Sequence, residues 1–275
     1  MRAMRNVQDM RTRSEDRLEE LLRQKKRQTW MIVIAIVAIT AWSAWETDFS
    51  FVDVFTGVEE IFRFIFIDFL PPDFSRFNQL IGPALDTIYI SFVAMVVGAL
   101  LSMVLAFFAA ATTSPFRSVQ VAVRALCSVL RNIPTLIWGI LLVAAYGLGT
   151  LVGTLALIIT AIGTLTRAYA EILEEIDIGQ VEALKATGAS YTQILGQAVF
   201  PQFMPGFIGW SLYKLELNVR ASTLIGMVGG GGLGFAIQKG LKLFQFKEVS
   251  LAIIMVMVLV LMTEFITSKL RERII

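Results

Sequence analysis

Six stretches of this 275-residue chain are apolar enough to cross a lipid bilayer as helices. A spanning helix needs about 20 mostly apolar residues, because every backbone polar group must find its hydrogen-bond partner within the segment. The mean hydropathy of +0.70 agrees with lipid as the main solvent of the fold. The sequence therefore predicts an all-α integral membrane protein with six transmembrane helices, at about 30–45, 85–111, 119–146, 151–169, 205–227 and 249–268.

The third stretch contains Arg131 and Pro134 and is predicted to break between them. Proline removes a backbone donor and disfavours helical geometry in the residue before it. We expect two half-helices in place of one continuous span.

Six spans place both termini on one side of the membrane. Of the 24 lysines and arginines, fifteen fall on the side of the termini and five on the opposite side. Because basic residues favour the cytoplasmic side, we expect both termini in the cytoplasm. The chain is then divided into a basic N-terminal segment, residues 1–28, and a transmembrane domain, residues 29–275. Within the first, Leu18, Leu21 and Leu22 fit a surface-lying amphipathic helix or, equally well, a solvated tail.

Several site classes are excluded by composition. The chain has no histidine and one cysteine, Cys127, which rules out internal disulfides, Cys/His zinc sites and Ser/His or Cys/His catalysis. We expect Cys127 to pack as an apolar side chain. A net charge of +2 gives no indication of nucleic-acid binding. We therefore expect no catalytic residues and no metal ligands.

Two glycine motifs bear on nucleotides. No G-x-x-x-x-G-K-[ST] sequence occurs, so a P-loop energy source is expected outside this chain. Gly229, Gly231 and Gly234 match G-x-G-x-x-G, but no strand is predicted before them, so a dinucleotide site is rejected. A tight, close-packed turn at the outer end of the fifth span is the preferred interpretation.

A polar segment, residues 179–201, separates the fourth and fifth spans and is too polar to cross lipid. Its pattern predicts two short helices with a break at Gly188. Ser190 and Gln193 have capping-box spacing at the start of the second helix, and Pro201 is expected to end it. From these residues alone, a compact hairpin that receives a push from a soluble partner competes with a plain surface loop.

This segment resembles the EAA signature of bacterial ABC importer permeases. The resemblance rests on Glu182, Ala183, Leu184, Gly188 and Pro201, although Leu184 stands where a second alanine is usual. It is closer to the phosphonate-type branch, through the stretches PPDFS at 71–75, EALKATGA at 182–189, FPQFMP at 200–205, SLYKLELNVRASTLIGMVGGGGLG at 211–234 and FQF at 244–246. It implies a MetI-like type I ABC importer permease fold in which this segment couples to the ATPase.

Further expectations follow from the same resemblance. It implies a homodimer in the bacterial inner membrane, two ATP-binding subunits that hold ATP and Mg²⁺, and a periplasmic or lipid-anchored substrate-binding protein. No cofactor is expected in this chain. The implied cargo is phosphonate or a related oxyanion such as phosphite, hypophosphite or phosphate, with a different small solute as the alternative.

The fifth span carries Lys214, Glu216 and Arg220 at bilayer depth. A lone charge there costs at least about 2.5–3.5 kcal/mol, so each needs a partner or water. Glu216 and Arg220 are four residues apart and could neutralise one another. Alternatively Arg220 faces the substrate path, where a guanidinium matches oxyanion oxygens. Arg131 is a second candidate on the same argument.

Two other function classes compete with the ABC importer. A secondary transporter is favoured by the break at Pro134 and the charges of the fifth span, although the chain shows no internal repeat. A membrane-embedded enzyme would have only carboxylates and lysines for its chemistry.

Overall fold

In the computed structural model, residues 2–274 are described, except that nothing is said of the side chains of residues 2–22 and 51. All secondary structure in this part of the chain is helical. The α-helices are α1 Arg2–Glu46, α2 Phe51–Arg63, α3 Phe77–Ala109, α4 Arg117–Asn132, α5 Thr135–Tyr146, α6 Thr150–Glu174, α7 Ile178–Ala186, α8 Tyr191–Ile194, α9 Phe200–Ile225, α10 Gly232–Lys242 and α11 Phe246–Arg271. Short π-helical segments lie at Phe64–Phe69, Leu195–Val199 and Gly226–Gly230, and one 3₁₀ turn lies at Phe74–Arg76.

The chain divides into two units, Met1–Arg63 and Phe64–Ile275. In the first unit, the boundary predicted after residue 28 falls inside the continuous helix α1. The part of α1 from Arg23 to Glu46 is long and apolar enough to cross a membrane. The predicted apolar stripe of Leu18, Leu21 and Leu22 lies outside the described side chains.

The number of spans agrees with the prediction when bent helices are counted once. Four helical stretches qualify alone, in α1, α3, α6 and α11, and two bent pairs qualify together. The first pair is α4 and α5, and the second runs from Tyr191 through α9 to α10. Six spans result if each bent pair is one span.

The predicted break at Pro134 is present. Helices α4 and α5 meet at 87° across Ile133 and Pro134, and Ile133 has extended backbone geometry, φ −82° and ψ 121°. This is the conformation that a following proline imposes.

Close packing between α3 and α6 forms the centre of the second unit. A Cβ atom placed on Gly98 would lie 2.5 Å from the Cβ of Ala161, so only glycine permits this approach. Ala99 and Ser102 are buried on the same helix. These small residues allow α3 and α6 to pack closely.

Helix α3 begins eight residues before the predicted start of the second span at residue 85. Its first turns bury Leu80 and Ala84 against Leu233, Ile237 and Val249 of α10 and α11. Hydropathy alone underestimates the length of α3 at this end, because the polar residues Asn78 and Gln79 lie among the packed ones.

The glycine-rich segment after α9 forms the predicted tight turn. Gly229, Gly231 and Gly232 have φ values of 111°, 84° and 68°, which side chains disfavour. The turn is held by neighbouring helices, since the N–H of Gly149 donates to Gly229 O (2.9 Å) and that of Leu233 donates to the Thr87 hydroxyl (2.9 Å). A helix precedes this turn where a dinucleotide site would need a strand.

Candidate functional site

The polar segment between α6 and α9 folds as a helical hairpin, α7 and α8. Only residues 175–177 separate α6 from α7, and α8 continues through Leu195–Val199 directly into α9. The prediction that Pro201 ends the second hairpin helix is wrong, because Pro201 lies in the first turn of α9, where proline is tolerated. Asp177 caps α7, because its carboxylate accepts the N–H of Gly179 at 2.9 Å. The hairpin is therefore joined to both spans with at most three non-helical residues on either side.

Gly188 makes the turn between the two hairpin helices. Its φ of 80° is left-handed, and the chain closes α7 with two bonds, from Gly188 N–H to Lys185 O (3.0 Å) and from Ala189 N–H to Leu184 O (3.2 Å). This is the Schellman pattern, in which a glycine after the helix satisfies its last carbonyls. The predicted break at Gly188 is therefore present.

The start of α8 has the predicted capping-box contact. The N–H of Ser190 donates to Gln193 Oε1 at 2.8 Å. This contact satisfies a backbone donor at the helix start.

Gln202 ties the hairpin to α9, which sequence reasoning did not anticipate. Its Oε1 accepts the N–H of Asp177 (3.0 Å), and its Nε2 donates to Gln180 Oε1 (3.1 Å) and Ala198 O (2.9 Å). One side chain thus joins the start of α7 to the first turn of α9. Below it, Tyr169 of α6 packs edge-on against Phe203 of α9, with ring centroids 5.9 Å apart.

The residues of the predicted signature lie largely on the surface of the hairpin. Glu182, Ala183 and Pro201 are exposed, and Leu184 is half-buried. Two exposed apolar side chains were missed, Ile178 at 60% and Tyr191 at 74% exposure. A groove of about 680 Å³ under the hairpin includes both of them among its lining residues. An exposed apolar patch on a polar hairpin is typical of a protein contact.

Glu216 and Arg220 do not pair with each other, which was one of the two alternatives for these charges. Arg220 pairs with Glu264 of α11 at 3.0 Å, whereas Glu216 accepts from Arg271 of α11 at 2.8 Å and from the Thr267 hydroxyl. Both pairs join α9 to α11. The physical reason is that α11 brings its own charges beside α9, and pairing between helices neutralises the charges of both. Lys214, the third charge of this span, is buried.

Arg131 lies in a different place, at a cavity of about 310 Å³ between α3, α4 and α6. Arg124 and Arg167 line the same cavity, and Arg220 does not. The sequence analysis did not identify Arg124 or Arg167 as site residues. Arg124 and Arg131 are seven residues apart and so share a face of α4, which was a usable signal. The contribution of Arg167 from α6 depends on packing.

Within the described residues, no group of three or more acidic, cysteine or histidine side chains could hold a metal ion. Cys127 is buried, as expected of a packing residue.

Comparison with known proteins places this arrangement in context. Residues 98–275 match the family model described as "Binding-protein-dependent transport system inner membrane component". The chain is 39% identical to the phosphite transport system permease protein PtxC of Stutzerimonas stutzeri over 203 residues, 74% of each chain. It is 36% identical to the phosphate-import permease protein PhnE of Mycolicibacterium smegmatis over 77% of this chain and 40% of that protein.

The fold also resembles that of a solved transporter. An inward-facing structure of the MetNI methionine ABC transporter superimposes with a TM-score of 0.63 at 21% identity, over 74% of this chain and 99% of that chain.

Proposed function

This chain belongs to the family of binding-protein-dependent transport system inner membrane components, and we propose that it forms the membrane pathway of an ATP-driven importer of phosphorus oxyanions. The observation that carries the cargo class is the similarity to two permeases named for phosphite and phosphate. Guanidinium groups on the spanning helices, Arg131 and Arg220, support the choice because a planar fork of N–H donors suits tetrahedral oxyanions.

The energy for transport enters, in this proposal, through the α7–α8 hairpin. Glu182, Ala183 and Leu184 contact an ATP-binding subunit, and Gly188 and Pro201 set the shape of the hairpin. Its short connections to α6 and α9 support this role, since closure of two ATPase subunits on ATP would move these helices as rigid elements. ATP and Mg²⁺ are then bound by the partner subunits.

The proposed assembly contains two copies of this chain, two ATP-binding subunits and an external substrate-binding protein. We place it in the bacterial inner membrane with both chain termini in the cytoplasm. The excess of basic residues on the side of the termini and of the hairpin supports this orientation.

Reconstitution in liposomes tests the proposal. The complete complex, with its ATPase subunits and binding protein, is expected to accumulate phosphite or phosphate only when ATP is supplied. Methionine serves as the control solute. Accumulation of methionine but of no phosphorus oxyanion would refute the cargo class, and uptake of any solute without ATP would refute the mechanism.

The hairpin is tested in the same assay. Changing Glu182 to Ala should lower ATP-driven uptake without changing binding of the anion to the external protein. Arg63→Ala, far along the sequence from the hairpin, is the control.

A further inference from the structure

We propose that the cavity between α3, α4 and α6 is a binding site for a tetrahedral phosphorus oxyanion. The identity of the anion rests on the proposed function, whereas the existence of an anion site rests on the cavity itself. Three arginines and one glutamate line it, so its surface carries a net positive charge. At about 310 Å³ it holds such an anion together with several waters, each of which takes about 30 Å³.

The cavity extends along the half of α6 nearest the hairpin. The α6 residues that line it run from the middle of the helix to its last turns: Gly163, Thr166, Arg167, Ala170 and Glu171. At Gly163 the helices α6 and α4 are in close contact, since a Cβ on this residue would lie 2.9 Å from the backbone nitrogen of Arg131 and 3.0 Å from Cys127 O. The close contact fixes Arg131 against the centre of a spanning helix.

Two of the three guanidinium groups already have protein partners. Arg124 donates to Ala109 O (2.7 Å) and to Glu174 (2.5 Å), and thereby holds the end of α3 near the end of α6. Arg167 donates to Glu171 at 2.7 Å. With five N–H donors each, both retain donors for a ligand.

Arg131 differs from them. Among the described residues, its side chain makes no ion pair and no hydrogen bond. Arg131 is exposed at the open cavity, so water or a bound anion must compensate its charge. Arg131 is thus the group that an incoming oxyanion would neutralise.

Thr166 closes part of the cavity wall. Its side chain is fully buried, at 0% exposure, and its hydroxyl oxygen has almost no accessible surface. This hydroxyl lies against the Cys127 thiol. Thr166 therefore shapes the cavity but offers no donor to a bound anion, which leaves the guanidinium groups as the donors.

The same chemistry has two sources, a free oxyanion and the phosphate of an anionic lipid headgroup. The experiment therefore uses the complex of this chain with its ATPase subunits, without the binding protein, in nanodiscs of phosphatidylcholine. The probe is radiolabelled inorganic phosphate, with phosphite as competitor. Wild-type complex should bind phosphate saturably, and phosphite should displace it.

The variants assign the site. Arg131→Gln should weaken phosphate binding by about tenfold or more, because it removes a charge-assisted donor pair. Arg131→Lys should bind with intermediate affinity, because it keeps the charge but loses the planar fork of donors. Arg117→Gln is the matched control, because Arg117 is exposed on the same helix and does not line the cavity.

Nanodiscs that contain phosphatidylglycerol separate the two sources. If this lipid excludes phosphate and copurifies with wild type but less with Arg131→Gln, the site takes a lipid headgroup. If phosphate binding is unaffected by the lipid, the site takes the free anion.

Equal binding by wild type and Arg131→Gln, or no Arg131-dependent binding of either source, overturns the proposal. Should Arg131→Gln fail to assemble with the ATPase, Arg131→Lys decides the outcome, since phosphate affinity equal to that of wild type would overturn the proposal. Failure of the proposed function is separate, because it would appear as absent phosphite uptake by the complete wild-type importer whatever the cavity binds.

Discussion

Helix α9 joins two regions that differ in how closely their glycines are packed. At its start, Gly188 of the hairpin has left-handed geometry in open space, with no atom within 4 Å of where a Cβ would lie. At its end, Gly226, Gly230 and Gly234 lie in direct backbone contact with neighbouring segments. The hairpin therefore needs Gly188 for conformation alone, whereas the turn needs glycine for space as well as for the positive φ values of Gly229, Gly231 and Gly232. An exposed turn leaves room for a side chain, whereas a turn that packs helix ends together excludes even a methyl group.

The largest effect is expected from Gly234→Ala. The new Cβ would lie 2.8 Å from the carbonyl carbon of Thr223 and 2.9 Å from the Cα of Gly226, and backbone atoms cannot move aside as a flexible side chain can. We expect the free energy of unfolding to fall by about 3 kcal/mol, which is at the upper end of the range for overpacked cores. Thermal unfolding of the purified complex, followed by size-exclusion chromatography, measures it.

Gly196→Ala is the matched control at the other end of α9. Gly196 is helical and has no atom within 4 Å of its Cβ position, so alanine should be neutral or stabilise by about 0.5–1 kcal/mol. If both substitutions lower the unfolding temperature alike, the contrast between the two regions is lost.

Gly188→Ala comes next, with a local cost of about 1–2 kcal/mol from left-handed geometry. Because the hairpin is exposed, the unfolding temperature of the whole complex should change little. Substrate-stimulated ATP hydrolysis by the Gly188→Ala complex should fall below that of the wild-type complex. Asn tolerates this geometry better, so Gly188→Asn should recover part of that activity. Full hydrolysis in the alanine variant would show that the turn is not needed for coupling.

Gln202→Leu should lower the free energy of unfolding by about 1 kcal/mol, because two hydrogen bonds to the start of α7 and one to Ala198 are lost, but the backbone groups can reach water. Hydrogen exchange should increase across residues 177–186. Gln180→Leu removes only the contact to Gln202 and should give a smaller increase. The reverse order would mean that Gln202 does not hold the hairpin.

The smallest effect concerns Asp73, in the loop before α3. The Ser75 hydroxyl (2.6 Å) and N–H (3.0 Å) donate to its carboxylate and lower the pKa of Asp73 below its ordinary value. A lowered pKa in the folded state gives stability that is present above the unfolded pKa of about 3.9 and is lost as the pH falls through the lowered value. Asp73→Asn should therefore slightly lower the unfolding temperature at pH 7 and have no effect near pH 2. Equal losses at both pH values would exclude this cause.

The hairpin could be predicted from sequence because its signals are local. Ser190 and Gln193 are three residues apart, and Gly188 ends a short helix, so each contact is formed within a few positions of the chain. The spans and the break at Pro134 follow from backbone hydrogen bonding, which lipid enforces on any sequence. In the same way, the lack of histidine and the single cysteine exclude whole classes of site through composition alone.

The charged residues of the spans could not be predicted in this way. The i,i+4 rule paired Glu216 with Arg220, but their partners on α11 are 44 to 55 positions away. Which charged side chains pair depends on which helices pack together and on their relative positions along the helix axes. Hydropathy predicts neither. The exposed apolar side chains of the hairpin, Ile178 and Tyr191, were missed because exposure is likewise set by packing.

The sequence by itself determined a membrane protein with a helical hairpin between two spans and a glycine turn after the second of them. Only the tertiary structure brought Arg124, Arg131 and Arg167 to one cavity. It also paired Arg220 of α9 with Glu264 of α11. The physical reason is that a local signal depends on the backbone of a few neighbouring residues. A site between helices depends on contacts between distant segments, such as the contact of Gly163 with α4, and these form only when the helices pack.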